Sequence, residues 1–197
     1  MIFKKVFIFC IFFFISLQNS FAIQPEIFVQ STVNRASEAL GQNYSKEEKI
    51  KKLKSIAKET VDIVGIGNYS LGSVRKTISD KKKKEYLEIF EKYFLKSFSS
   101  RLAEYSNPKI EVNSSKKLNE KYTMVSSILI ATDEKPEIKI DWRINTKIPE
   151  NPLIIDVVIE GVSLAKVQKE EFNSIIMSND GNIDALLESL KNFIVKE

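Results

Sequence analysis

The hydrophobic period of this chain changes at Pro108, and that change limits the possible folds more than any other feature. Before Pro108 the apolar residues recur every three or four positions, which is the spacing of amphipathic helices. After it they alternate in four runs, "KIEVNSS", "KYTMVSSILIA", "EIKIDWRINT" and "LIIDVVIE". The connections between these runs are short, which favours an antiparallel sheet. Helices grouped apart from antiparallel strands predict an α+β fold.

The spacing predicts three helices before Pro108, over about 26–40, 45–64 and 79–105, and two more after the strands. Ser45 and Glu48 form a capping box at the start of the second helix. Between the second and third helices, "GIGNYSLG" superficially resembles a phosphate-binding loop. A helix precedes it, however, and Ser70 stands where the third glycine should be. We therefore expect a flexible joint between helices, not a nucleotide site.

The first residues have the pattern of a cleavable secretory signal. Lys4 and Lys5 precede an apolar stretch over 6–17, and Ser20-Phe21-Ala22 ends the segment. A helix of that stretch would be roughly 18 Å long, well short of the ~30 Å hydrocarbon core of a bilayer. An uncleaved membrane anchor is the alternative. We predict a signal peptide over 1–22, cleaved after Ala22, and one domain over 23–197.

Composition removes several classes of function. The chain has no histidine, and its one cysteine lies inside the predicted signal peptide. Serine–histidine and cysteine–histidine nucleophiles and most zinc sites are thereby excluded. The formal net charge of +4 lacks the strong basic asymmetry of nucleic-acid-binding proteins. The sequence predicts no metal, no cofactor and no nucleic-acid partner, and an enzyme would depend on carboxylates, lysine or tyrosine.

Two acids in the last strand, Asp156 and Glu160, invite a catalytic interpretation. On a strand they share one face, and about 13 Å separates them at ~3.3 Å per residue. Carboxylate pairs that divide acid and base roles are usually ~5 to 9.5 Å apart. We expect instead that Asp156 bonds the local backbone or a basic neighbour, that Gly161 forms the turn, and that Ser163 caps the next helix. No catalytic residue is predicted.

The run from Lys81 to Lys84 allows two interpretations. At the start of a helix, where the dipole disfavours cations, it is either a solvated face or a docking site for anionic lipid or an acidic partner.

Several stretches together resemble the MlaC family. "DVVIEGVSL", "KEEFNSII" and "DGNIDALLESLKN" are similar to its C-terminal signature. Upstream, "SLGSVRKTISDKKKKEYLEIFEKYFLKSFSSRLAEY" resembles its LG turn followed by an aromatic-rich helix. The resemblance covers about residues 26–195. Members of the family are exported proteins that shuttle phospholipid across the Gram-negative periplasm, also described as toluene-tolerance or ABC-transporter auxiliary proteins.

The resemblance implies an NTF2-like fold, with helices packed on a strongly curved antiparallel sheet of about four strands and acyl chains in an apolar slot between the two layers. It implies a monomeric periplasmic carrier that receives and delivers phospholipid at an outer-membrane lipoprotein complex and an inner-membrane ABC lipid-transport complex. The periodicity then selects the apolar residues expected to line the slot. These are Val61, Val64, Leu71, Phe90, Phe94, Phe98, Met124, Ile128, Ile140, Trp142, Ile155, Val157 and Ile159.

Two alternatives stay open. A carrier of the same family for another lipid, such as a hopanoid, would have the same apolar lining. An NTF2-like lyase or isomerase would need a carboxylate base on an inward strand position, and the inward positions are almost wholly apolar.

Overall fold

The computed structural model describes residues 22–105, 108–132 and 136–196, so the predicted signal peptide lies outside it except for Ala22. The described residues form an α+β fold, as the sequence predicted, and contain six α-helices where five were expected. The helices are α1 (Pro25–Gly41), α2 (Lys46–Thr60), α3 (Ile63–Ser70), α4 (Asp80–Leu102), α5 (Leu164–Met177) and α6 (Ile183–Val195). None of these helices combines the length and the apolar character that crossing a membrane requires.

Local side-chain bonds set the starts of the helices. The Ser45 hydroxyl accepts a bond from the Glu48 amide, and the Glu48 carboxylate accepts one from the Ser45 amide, which completes the expected capping box of α2. Ser79 caps α4 by accepting from the Lys82 amide. The far end of α4 differs from the prediction: the helix ends at Leu102, before Tyr105 and Pro108.

The segment expected to be a flexible joint is instead helix α3. Its N-cap is Asp62, whose carboxylate accepts a bond from the Gly65 amide at 2.8 Å. Gly67 lies against α4, where a Cβ atom would approach the Phe90 ring to 2.8 Å. The Tyr86 hydroxyl donates to the Gly67 carbonyl at 3.0 Å, and burial raises the pKa of that phenol, so it stays a donor. The glycines therefore permit close packing and do not confer flexibility.

The strands form one antiparallel sheet in the order β1-β2-β3-β4-β5. Four strands were expected, and the fifth is a two-residue strand that continues into α5. The strands are β1 (Ile110–Asn119), β2 (Tyr122–Leu129), β3 (Ile138–Asn145), β4 (Leu153–Ile159) and β5 (Val162–Ser163). Register shifts interrupt the β1–β2 and β3–β4 ladders. Such bulges bend the strand and increase its local twist.

Two separate apolar clusters stabilise the fold. The first, the helical core, joins α3, α4, α5 and α6 with one residue of α2, and Tyr86, Phe90 and Phe172 are its largest fully buried side chains. The second, the sheet core, joins α1 to the sheet. Within the described residues, Val61 is the side chain that packs against both clusters. Helices α3 to α6 thus form one layer, and α1 with the sheet forms another.

Candidate functional site

The stretch "DVVIEGVS" folds into the β4–β5 hairpin and holds the start of α5. Asp156 is buried, with its carboxylate accepting bonds from the Ala165 amide at 3.0 Å and from the Ser163 hydroxyl at 2.7 Å. Arg143 on the neighbouring strand donates a third bond at 3.2 Å. Ser163 caps α5 by accepting from the Lys166 amide at 3.1 Å. Asp156 therefore ties β3, β4 and α5 together.

Glu160 and Gly161 form the two-residue turn of this hairpin, with positive φ angles of 48° and 81°. Ile159 pairs with Val162 across the turn. Two consecutive positive φ values are the geometry of the turn that matches strand twist in short hairpins, and glycine adopts it without strain. The Glu160 carboxylate also accepts a bond from the Lys139 amide. Both acids are therefore bonded to backbone groups, and the geometry gives neither of them the position of a free acid or base.

The sheet has two faces, which the strand register assigns. Val125, Ile144 and Ile154 contact Val29 and Val33 of α1, so we call this side the inner face. Trp142 pairs with both Val125 and Val157, and Ile140 pairs with both Ser127 and Ile159, which places all of them on the same face. The predicted lining residues that the sheet brings together are Ile140, Trp142, Val157 and Ile159. Trp142 and Val157 are only partly buried at the border of the sheet core.

The predicted lining of β2 lies on the other side of the sheet. Met124 pairs with Arg143 and Ile128 pairs with Lys139, so both belong to the outer face. The expectation that they share a surface with Ile140 and Trp142 was wrong. Both faces of β2 carry apolar side chains, and a shift of one residue exchanges the faces completely. Only pairing with β3 decides which face is inner.

A bulge displaces one more predicted lining residue, Ile155. Arg143 pairs with Asp156 and Ile144 pairs with Ile154, which leaves Ile155 without a partner in the β3–β4 register. Because a bulged residue departs from strict alternation, the period of the sequence could not assign its face.

The predicted helical residues separate into three environments. Phe90 and Leu71 are buried within the helical core, and Phe90 packs edge-on against Phe172 with ring centres 6.1 Å apart. Phe94 and Phe98 are partly buried at the border of that core and stack on each other, with ring centres 5.8 Å apart and planes 6° from parallel. Val64 is exposed on α3. Phe90 therefore faces other helices, contrary to the expectation that it faces the sheet.

Five of the predicted lining residues are partly buried against one or both of the two cores, and we call these five the seam; they are Val61, Phe94, Phe98, Trp142 and Val157. The seam residue Val61, which follows α2, is bonded directly to strand β4. Val61 forms an isolated parallel bridge to Ile154, and the Asp62 amide donates to the Ile154 carbonyl at 2.9 Å. Apolar side chains that stay partly exposed at the edge of two separate cores are candidates for contact with an apolar ligand.

A buried serine on the inner face was missed by the sequence analysis. Ser127 accepts a bond from the indole nitrogen of Trp142 at 2.8 Å and donates to the Ile140 carbonyl at 3.0 Å. The adjacent Ser126 points to the outer face, where it donates to Asp141 at 2.6 Å. The alternation of the two serines with Val125 and Ile128 was the available signal, but it depends on knowing which face is inner.

A surface cleft of about 370 Å³ lies between α3 and α4 and includes Val64. Lys83 and Lys84 line it together with three acids, Asp80, Glu88 and Glu91. Lys82 bonds instead to Asp184 at 2.8 Å and to Glu85 at 3.1 Å, which raises the pKa of its ammonium group and joins α4 to α6. The lysine run is thus shared between a mixed-charge cleft and a helix–helix contact. Among the described residues no cluster of acids has the arrangement of a metal site.

Comparison with known proteins identifies a family and a similar fold. The family model described as "MlaC protein" matches residues 29–192. The fold is similar to that of a solved phospholipid-binding protein from Ralstonia solanacearum, determined in complex with a phospholipid, at a TM-score of 0.72 and 15% sequence identity. The similarity covers 87% of this chain and 97% of that one. Among curated proteins no sequence matches this chain.

Proposed function

This chain belongs to the MlaC family, and from that membership we propose that it is a periplasmic lipid carrier that buries phospholipid acyl chains between its helical layer and its sheet. The seam is the observation that carries the proposal. It consists of apolar, partly exposed side chains from both cores, with Phe94 and Phe98 packed against the helical core and Trp142 and Val157 packed against the sheet core. The phospholipid bound by the Ralstonia solanacearum protein of the same fold supports this ligand class.

The energetics of such a site need no polar recognition. Each buried methylene contributes about 0.8 kcal/mol, so ten methylenes supply about 8 kcal/mol towards binding and towards separating the layers. The same reasoning applies to a hopanoid or another apolar lipid, which remains the second candidate ligand. The bonded state of Asp156 and Glu160 argues against the lyase or isomerase alternative, and the family membership favours a binding protein.

We further propose that the carrier exchanges its lipid with an outer-membrane lipoprotein complex and an inner-membrane ABC transport complex, and that it does so as a monomer. These partners follow from the family membership.

Trp142 provides a direct test of where the lipid lies, because it is the single tryptophan of the chain. We expect that loading the protein with phosphatidylcholine brominated along its acyl chains will quench most of the tryptophan emission, relative to the same lipid without bromine. Bromine quenches only at close contact, so the loss would place the chains beside the inner face.

The matched control places the tryptophan at a different site in the protein. A Trp142→Phe/Phe193→Trp double variant carries its tryptophan at an exposed position on α6 and should lose little emission. Equal quenching in the two proteins, or lipid bound without quenching of Trp142, would contradict the proposed site.

Export is tested at the N-terminus. We expect the mature protein to begin at Ile23, because Ala22 ends a small-residue cleavage pattern and α1 begins at Pro25. N-terminal sequencing of the periplasmic fraction measures this. Ala22→Leu, which replaces the small residue, should accumulate uncleaved. A wild-type protein that retains Met1 and fractionates with membranes would refute the assignment.

A further inference from the structure

The indole of Trp142 has its only polar atom turned into the protein. Its N–H donates to Ser127, whose side chain is 1% exposed and lies on the neighbouring strand. Trp142 pairs with Val125 and Ile140 pairs with Ser127, so Trp142 and Ser127 are diagonal neighbours on the inner face. Diagonal pairs on a sheet are within reach of an aromatic side chain.

The hydroxyl of Ser127 is held in turn by the backbone. It donates to the Ile140 carbonyl at 3.0 Å, which leaves its oxygen directed as an acceptor towards the indole N–H 2.8 Å away. These two hydrogen bonds, from Trp142 to Ser127 and from Ser127 to the Ile140 carbonyl, therefore set the orientation of the partly buried indole ring. A serine is suited to this place because one hydroxyl both donates and accepts.

We propose that Ser127 is the positioning residue of the lipid site, which holds Trp142 so that the ring presents only hydrocarbon to an acyl chain. The inference rests on the proposed function. Without Ser127 the indole N–H would have no protein acceptor in this arrangement, and covering it with an acyl chain would bury an unpaired donor. When Ser127 is present, the acyl chain contacts an indole ring whose N–H is already hydrogen-bonded.

Ser126 is the natural control for this role. It precedes Ser127 in the same strand and has the same chemistry, but it faces outward and bonds Asp141. Removing the Ser126 hydroxyl costs one hydrogen bond, to Asp141, and removing the Ser127 hydroxyl costs two, to Trp142 and Ile140. Only the loss of Ser127 frees a donor on the inner face.

The test is a double-mutant cycle on lipid affinity with Ser127→Ala, Trp142→Phe and the double variant, each titrated with a fluorescent phosphatidylcholine. Ser127→Ala should weaken binding about tenfold in the presence of Trp142, as expected for a buried donor left without a partner. In the Trp142→Phe background, which has no indole N–H, the same substitution should change the affinity less than about twofold. Ser126→Ala should bind as the wild type does.

A spectroscopic readout accompanies the cycle. The single indole N–H resonance should shift upfield in Ser127→Ala and stay in place in Ser126→Ala, which reports the bond directly. Ser127→Cys replaces the hydroxyl with a somewhat larger thiol that is a weaker acceptor, and it should give an intermediate affinity. The test therefore stands even if the alanine variant folds poorly.

The outcomes separate the two proposals. A wild-type protein that binds no lipid overturns the proposed function. A wild-type protein that binds lipid, with equal losses from Ser127→Ala in both backgrounds, shows that Ser127 is structural and overturns this inference alone. An unchanged affinity in Ser127→Ala and Ser127→Cys overturns it as well.

Discussion

Replacing Phe94 with aspartate is expected to yield a folded protein without lipid. Phe94 is partly buried, stacks on Phe98 and lies at the border of the helical core. A carboxylate there can stay hydrated while the layers are apart, but an acyl chain cannot solvate it. We expect the phospholipid that co-purifies with the protein to fall to less than about one-tenth of the wild-type amount, because burying an unpaired charge costs several kcal/mol. Native mass spectrometry without detergent and a thermal melt on the same sample measure both properties.

Two controls on the same set of aromatic residues calibrate this result. Phe90, one turn earlier on α4, is 1% exposed and packs inside the helical core, so Phe90→Asp should unfold the protein. Phe193 is 37% exposed, so Phe193→Asp should fold and keep its lipid. If Phe94→Asp unfolds as Phe90→Asp does, Phe94 belongs to a packed core. If it folds and retains lipid, the acyl chains lie elsewhere.

The second large effect is expected at Asp156, and it concerns stability and not ligand binding. Asp156→Asn should lower the free energy of unfolding by about 2–4 kcal/mol, because a buried carboxylate with three bonds is replaced by an amide that cannot accept all of them. Most of the loss should come from the bonds to Ser163 and Ala165. Arg143 is 40% exposed, and solvent screens its ion pair.

Urea denaturation followed by circular dichroism measures this loss, and lipid extraction from the folded variant should show lipid close to the wild-type amount. Glu160→Gln is the matched control, since its carboxylate bonds only at the exposed end of the hairpin; its effect should stay below about 1 kcal/mol. A fully folded Asp156→Asn without lipid would place Asp156 in the binding site. A stability equal to the wild type would show that its bonds do not hold α5.

Much of the fold could be predicted from interactions between residues that are close together in the sequence. The capping box at Ser45 and the cap at Ser79 are formed within one turn of the chain, so their geometry depends on neighbouring residues alone. The change of hydrophobic period at Pro108 separated helices from strands for the same reason. The structural role of Asp156 could also be predicted from the sequence, because a separation of two strand periods places it too far from Glu160 for paired acid–base catalysis.

Glycine-rich α3 shows where local rules fail. "GIGNYSLG" contains three glycines, which have poor helix propensity, and the sequence predicted a flexible joint there. The helix forms because Asp62 caps it and because Gly67 lets α3 approach Phe90 and accept a bond from Tyr86. Propensity is a weak preference of well under 1 kcal/mol for most residues and about 1 kcal/mol for glycine, which tertiary packing readily outweighs.

The sequence by itself determined most of the elements, their order and their apolar faces; helix α3 and the two-residue strand β5 were not predicted. Only the tertiary structure decided which side chains lie together. Met124 and Ile128 lie on the outer face of the sheet, and Ser127 lies on the inner face. The two faces of β2 are chemically similar, and its pairing with β3 decides which of them is inner. Phe90 and Phe94 belong to one helical stripe, yet one is enclosed by Phe172 of α5 and the other lies at the border of the core. Periodicity is a property of one element, whereas burial depends on the element that packs against it, and that partner is set by residues far away in the chain.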